Sequence, residues 1–264
     1  MAPPGGTDPA TTAWIAAVLA VDGSIVSPTS AGKVNTLITG MKTAANGNLF
    51  TAMDRLWLFA IESSTGGIGQ TEALVDIISG SLATNVNNTT FTANRGFTGN
   101  GSNMYIDSNF NATTAPSPKF VQDSACLFAW SNTTVGAGVD GGGLVGLSGS
   151  ISTFLQPHYS DNNFYWGLNA FLGAFAGSGA TGLFLENRDG HASTQADLNG
   201  GNLATGPTAA NAPFNESFKA FISSGNINGI YQICCFGFGA GLTAGNRTDF
   251  YTLMRAYMNS VGVP

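Results

Sequence analysis

The chain has 264 residues, long enough for one large domain with a sizeable core and no need of cross-links. Only 9% of residues are charged, the formal charge is −6, and 43% are hydrophobic. This balance excludes a disordered chain, and the lack of any Lys/Arg cluster excludes nucleic-acid binding by phosphate neutralisation.

Residues 1–7 read as a flexible arm. Asp8-Pro9 opens a helix, with Asp as cap and Pro where a missing N–H costs nothing. Trp14, Ile15, Val18 and Leu19 form its apolar stripe, and Gly23 ends it. The run from Trp14 to Val21 is too short to span a bilayer, so no membrane partner is expected. The first residues carry no positive charge of the kind a signal peptide needs. The expectation is synthesis in a cytoplasm. Ser27-Pro28 repeats the helix start, and Val34, Leu37, Ile38 and Met41 follow at helical spacing. Residues 8–53 therefore predict a helical hairpin with one face to bury, and Leu49 to Met53 can add a turn.

Residues 54–264 predict a body of strands. Arg55 to Ile61 is apolar on both faces and reads as a buried strand; Gln70 to Ser79 fits helix or strand. Arg95 to Asp107 reads as a tight hairpin with Asn100-Gly101 at the tip, Phe97 opposite Met104 and Arg95 opposite Ile106. Short strands then recur between Gly/Asn turns: 124–131, 143–147, 151–156, 163–168, 181–186, 194–198, 216–223 and 230–238. The last, with both sides apolar, belongs in the middle of a sheet. Thr243 caps a closing helix over 244–261, with Phe250, Leu253, Met254 and Tyr257 at helical spacing. The fold class is mainly β: an antiparallel jelly-roll sandwich with helices at both ends of the chain. Cys126, Cys234 and Cys235 lack metal-site spacing and read as buried free thiols.

Phe97-Thr-Gly-Asn-Gly-Ser-Asn-Met-Tyr-Ile-Asp107 resembles a hairpin of concanavalin A-like, laminin-G-like jelly rolls. The close, Phe236 to Asn246 followed by Phe250-Tyr-Thr-Leu-Met-Arg-Ala-Tyr257, is similar to the final strand and helix of that group. Asp54-Arg-Leu-Trp-Leu-Phe-Ala60 after a helical pair, with Thr181-Gly-Leu-Phe-Leu-Glu-Asn-Arg188, resembles a narrower subset encoded in tailed phages and prophages. The likeness covers nearly all of residues 8–262. It implies a virion structural protein of a tail, tail fibre, baseplate or capsid surface, assembling with itself as a homo-oligomer and with other virion proteins. On that view the helical lead, through Trp14, Ile15, Val18, Leu37 and Met41, either packs on the sandwich or docks the protein to its particle. Arg188 is expected to make structural hydrogen bonds.

Enzymatic chemistry is not indicated. Sandwich glycan hydrolases need two carboxylates facing across a cleft, about 5–9 Å apart. Glu186 and Asp189 are three residues apart, which on a strand is not one face. Gly149-Ser150 and Gly177-Ser178-Gly179 lack the serine-nucleophile pattern, and no phosphate loop occurs. No cofactor is implied except calcium, which laminin-G-like relatives sometimes hold; Asp140, Asp161 and Asp189 are the candidates, against ordinary Asx turns. The alternative function is a glycan-binding adhesin for host surface polysaccharide. Its candidates are His158, Tyr159, Asp161, Asn162, Asn163 and Tyr165, where aromatic rings stand beside amides and a carboxylate. Phe164 and Trp166 point to the opposite face and read as core.

Overall fold

The structure, a computed structural model, describes residues 6–23, 25–62, 69–147, 152–176, 180–223 and 227–264. Most of the expected arm, Ile151, and the serines at 150 and 178 lie outside these. The helical lead forms as its caps dictate. Helix α1 (Pro9–Asp22) starts where the Asp8 carboxylate accepts the Ala10 N–H at 2.8 Å, and ends at Gly23, whose φ of 79° only glycine adopts freely. In α2 (Pro28–Lys42) the Ser27 hydroxyl accepts the Ser30 N–H at 3.0 Å. A single turn, α3 (Leu49–Ala52), leads into strand β1 (Met53–Leu58). The ambiguous 70–79 stretch is helix α4 (Gly69–Leu74) and then a turn, with the Asp76 carboxylate accepting N–H bonds from Ile78, Ser79 and Ser81.

The remaining strands are β2 (Thr84–Val86), β3 (Thr90–Thr92), β4 (Gly96–Thr98), β5 (Tyr105–Asn111), β6 (Ala125–Ser131), β7 (Val145–Gly146) and β8 (Phe154–Gln156). They continue as β9 (Asn163–Gly167), β10 (Phe171–Ala176), β11 (Gly182–Gly190), β12 (Ser193–Leu198), β13 (Gly201–Gly206), β14 (Ser217–Ala220) and β15 (Gln232–Gly239). Helix α5 (Ala244–Ser260), capped by Thr243, closes the chain. Among the described residues, one antiparallel sheet runs β13-β12-β11-β6-β15-β4-β3, with β1 also paired to β15; the other runs β10-β9-β8-β7-β14-β5-β2. Strand β15 is central, between β6 on one side and β1 and β4 on the other. The expected β-sandwich is therefore what forms.

The sheets face each other through aromatic rings. Phe238 of the first stacks on Phe218 of the second at 4.1 Å, and Phe184 on Phe164 at 5.9 Å. Helices cover the other side of the first sheet. Phe250 meets Phe128 edge-on at 4.6 Å, Tyr251 stacks over Trp130, and the Tyr257 hydroxyl donates to the Ala60 carbonyl at 3.1 Å. The order is helices, sheet, sheet, with one hydrophobic cluster running from Trp14 to Val263. All three cysteines are free and buried in β6 and β15. Among the described residues, no helix is long and apolar enough to cross a membrane.

The expected hairpin at Arg95–Asp107 does not form. Strand β4 pairs with β3 and β15 in one sheet, whereas β5 pairs with β2 and β14 in the other. The segment between them crosses from sheet to sheet. Only Gly101 takes a positive φ (70°); the Asn100 side chain instead accepts N–H bonds from Ser102, Asn103 and Met104. Gly99 and Gly101 donate to the carbonyls of Tyr231 and Gly229. Phe97 and Ile106 are both fully buried, as the alternation requires, but from opposite sheets rather than side by side.

Candidate functional site

The densest group of expected site residues lies where β9 emerges from its loop. Asn162 sits at φ 64° in a tight turn, with its N–H bonded to the Tyr159 carbonyl and the Tyr159 N–H bonded to the Asn163 carbonyl. Alternation along β9 turns Phe164 and Trp166 into the core and leaves Tyr165 half-buried on the outer face. Tyr159 and Tyr165 meet edge to face, centroids 5.4 Å apart at 76°.

Asp161 ties this group together. One oxygen accepts the Asn163 N–H at 2.9 Å; the other accepts the Asn163 amide at 3.0 Å and the Tyr165 hydroxyl at 2.7 Å. The tyrosine bond, then the Asn163 bonds, hold the Asp161 carboxyl below the usual carboxylate range, and the same contact raises the Tyr165 phenol. Asn162 accepts the Gly138 N–H at 2.7 Å, which lays the 136–142 loop against the turn. His158 does not share the surface. It is buried, its Nδ1 2.8 Å from the Val139 carbonyl oxygen.

Of the three calcium candidates, Asp140 and Asp161 stand in loops and Asp189 near the end of β11. Asp140 accepts from the Gly142 N–H and the Gln156 amide, and Asp189 from the Ser193 hydroxyl. Among the described residues, no group of three His, Cys, Asp or Glu is placed to hold a metal. The helical stripe also turns inward: Trp14, Val18, Leu37 and Met41 are buried in the chain's own core, and Ile15 packs against it. The stripe is taken up within the chain, with α1 packed on α2 and α4, and α2 on α3 and α5. The Trp14 indole N–H reaches the Val75 carbonyl at 3.2 Å.

Glu186 and Asp189 both lie within β11, and they point to opposite sides. Glu186 is wholly buried between the sheets, and its oxygens make no hydrogen bond. Burial pushes its carboxyl well above the usual range. Arg188 makes the structural contacts expected of it, donating to the carbonyls of Leu168 (3.0 Å), His191 (2.7 Å) and Thr208 (3.0 Å).

Sequence reading missed β10, whose Phe171 and alanines show no clean alternation. Its register places Ala174 beside Tyr165 and Ala176 beside Asn163 on the outer face, both exposed. Phe171, opposite Gly167 on the same face, is 49% exposed and stacks on Phe154.

No protein-family profile matches this sequence, and no curated protein does. Solved structures share the fold. A Trypanosoma rangeli sialidase held as a covalent intermediate with 2,3-difluorosialic acid matches over 87% of this chain and 38% of its own, at TM-score 0.51 and 10% identity. The binding domain of botulinum neurotoxin DC, in complex with rat synaptotagmin II, matches over 77% of this chain and 52% of its own, at 0.54 and 12%. The receptor-binding domain of botulinum neurotoxin type G matches over 76% and 51%, at 0.52 and 13%. The chain thus spans from under two fifths to about half of these neighbours, and identities so low establish a shared β-sandwich fold alone.

Proposed function

We propose that the chain is a non-enzymatic structural component of a tailed-phage virion, acting by assembly and surface display. The resemblance spanning residues 8–262 motivates this, and the outer surface of the helical layer carries it. With the main stripe buried, Leu19 (52% exposed), Val21 and Ile25 (72% exposed) remain in solvent within one short stretch at the end of α1. Apolar side chains gathered outside in one short stretch support a contact with a neighbour. The low-charge surface lets copies and partner chains pack without strong repulsion. Glu186 in the core and Asp189 on the far face leave no facing carboxylate pair from these two for hydrolysis. The test is a Leu19→Asp/Ile25→Asp double variant supplied during phage growth. It should fold and melt like the parent yet be missing from purified particles. A parent chain that never enters particles would sink the reading, as would a variant incorporated at the parental level.

A second reading, a glycan-binding adhesin module, is favoured by the Tyr159–Asp161–Tyr165 group. Neighbours of this fold include receptor-binding domains and an enzyme holding a sialic-acid derivative, which fits a recognition role. Host polysaccharide should retain the parent protein and release a Tyr165→Ala variant; equal retention of both would count against it.

A further inference from the structure

We infer that the outer face of the β9–β10 edge is a calcium-independent platform for an uncharged oligosaccharide chain, with Tyr165 and Phe171 as its two stacking positions. This rests on the glycan-binding reading and adds the ligand's charge class, its length and a second contact. The geometry begins with register. Tyr165 stands opposite Ala174, and two positions along β9, Gly167 stands opposite Phe171. Both positions face outward, so the two rings lie on one side of the sheet, about 7 Å apart along the strand. Beside them stand Ala174 and Ala176, exposed and too small to cover either ring, while Gly167 is buried under the backbone of Ser152 and Ala170. Each ring is braced: Tyr165 by Tyr159 and Asp161, Phe171 by stacking on Phe154 at 6.2 Å. Strand β10 is the edge of its sheet, so a long ligand can enter from the side.

Charge decides the class. The sequence has no Lys or Arg between Lys119 and Arg188, a span that covers every platform residue. Arg188 is buried and bonded to backbone carbonyls. The nearest cation on the same sheet face, Lys219 of β14, lies three strands from β9, about 14 Å by interstrand spacing. It pairs with Glu216 at 2.7 Å. Nothing here would offset a sialyl or sulfate charge, and the Asp161 carboxylate would repel one. The negative ring faces instead suit the weakly positive C–H faces of neutral sugars. Calcium is not needed, because both Asp161 oxygens already serve three donors that fix the turn.

An array of neutral, sialylated and sulfated oligosaccharides, read with and without EDTA, tests this. Neutral chains should bind, and binding should survive EDTA. Phe171→Ala should weaken tetrasaccharides about tenfold while disaccharides hold nearly steady, since one stacking contact is removed. Ala174→Arg, an exposed change away from the core, should block both lengths. Preference for sialylated or sulfated chains, loss in EDTA, or parental affinity in both variants overturns the platform while the glycan-binding reading stands. Silence on every glycan ends both.

Discussion

At the scale of single residues, the most consequential side chain is one that no function uses. Glu186 is buried between the sheets without a hydrogen bond, and Glu72 of α4 is likewise buried and unbonded, with burial and then the neighbouring Glu62 pushing it up to about 8. Both carboxyls are protonated in the folded chain at a pH where the unfolded chain has lost the proton. The folded state therefore binds more protons above the unfolded value of 4.5, and stability falls as pH rises from there. For Glu72 the fall runs to about 8; for Glu186 it continues well above the usual carboxylate range. Glu186→Met, which keeps the volume and removes the charge, should raise stability at neutral pH by roughly 1–3 kcal/mol. The gain should shrink below pH 4.5, where the parent carboxyl is neutral in both states. Thermal melts of parent and variant across pH check this; a constant difference would mean Glu186 is not ionised on unfolding.

At the scale of elements, the crossing between β4 and β5 shows how one pattern supports two geometries. Phe97 and Ile106 must both be buried. A hairpin buries them side by side on one sheet, and a sandwich buries them from facing sheets. What separates the two is the partner of β4. Gly96 has φ 90° and lies so close to β15 that a Cβ would come within 1.9 Å of the Ile233 carbonyl oxygen. Gly96→Ala should therefore cost about 3 kcal/mol or more, from backbone strain plus a clash that cannot relax. Urea denaturation reads the effect. In an isolated hairpin the same change would be cheap, so a neutral result would remove β4 from β15.

At the scale of the whole molecule, the helices and the sandwich share one hydrophobic cluster. The hydrophobic cluster passes from Trp14 and Val18 of α1, through Leu37 and Met41 of α2, to Leu56 and Leu58 of β1 and Tyr257 of α5 without a break. Asp54, at the start of β1, pins the distant chain by accepting the N–H groups of Lys119 (2.8 Å) and Phe120 (2.7 Å). Trp14→Ala should cost about 3–5 kcal/mol, the usual penalty for emptying a large buried site. It should shift one cooperative transition seen by both far- and near-ultraviolet dichroism. Two separated transitions would make residues 8–53 a unit of their own.

How much of this was legible in the chain follows from the range of each force. Helix starts at Asp8-Pro9, Ser27-Pro28 and Thr243 were readable because capping acts within three residues. The inward turn of Trp166 and the central place of β15 were readable because strand alternation is local and both sides of β15 are apolar. Arg188 was readable as structural from its place in a recognisable strand. The burial of Glu186 was not, because alternation says which side a residue faces and not whether water reaches that side. The sheet to which β4 belongs, the inward commitment of the helical stripe and the exposure of Phe171 were decided only in three dimensions. Each depends on which distant surface arrives to cover an apolar face, and burial of apolar area has no direction of its own. Local sequence therefore determined the elements and their faces, and tertiary packing determined which faces were left for anything outside the chain.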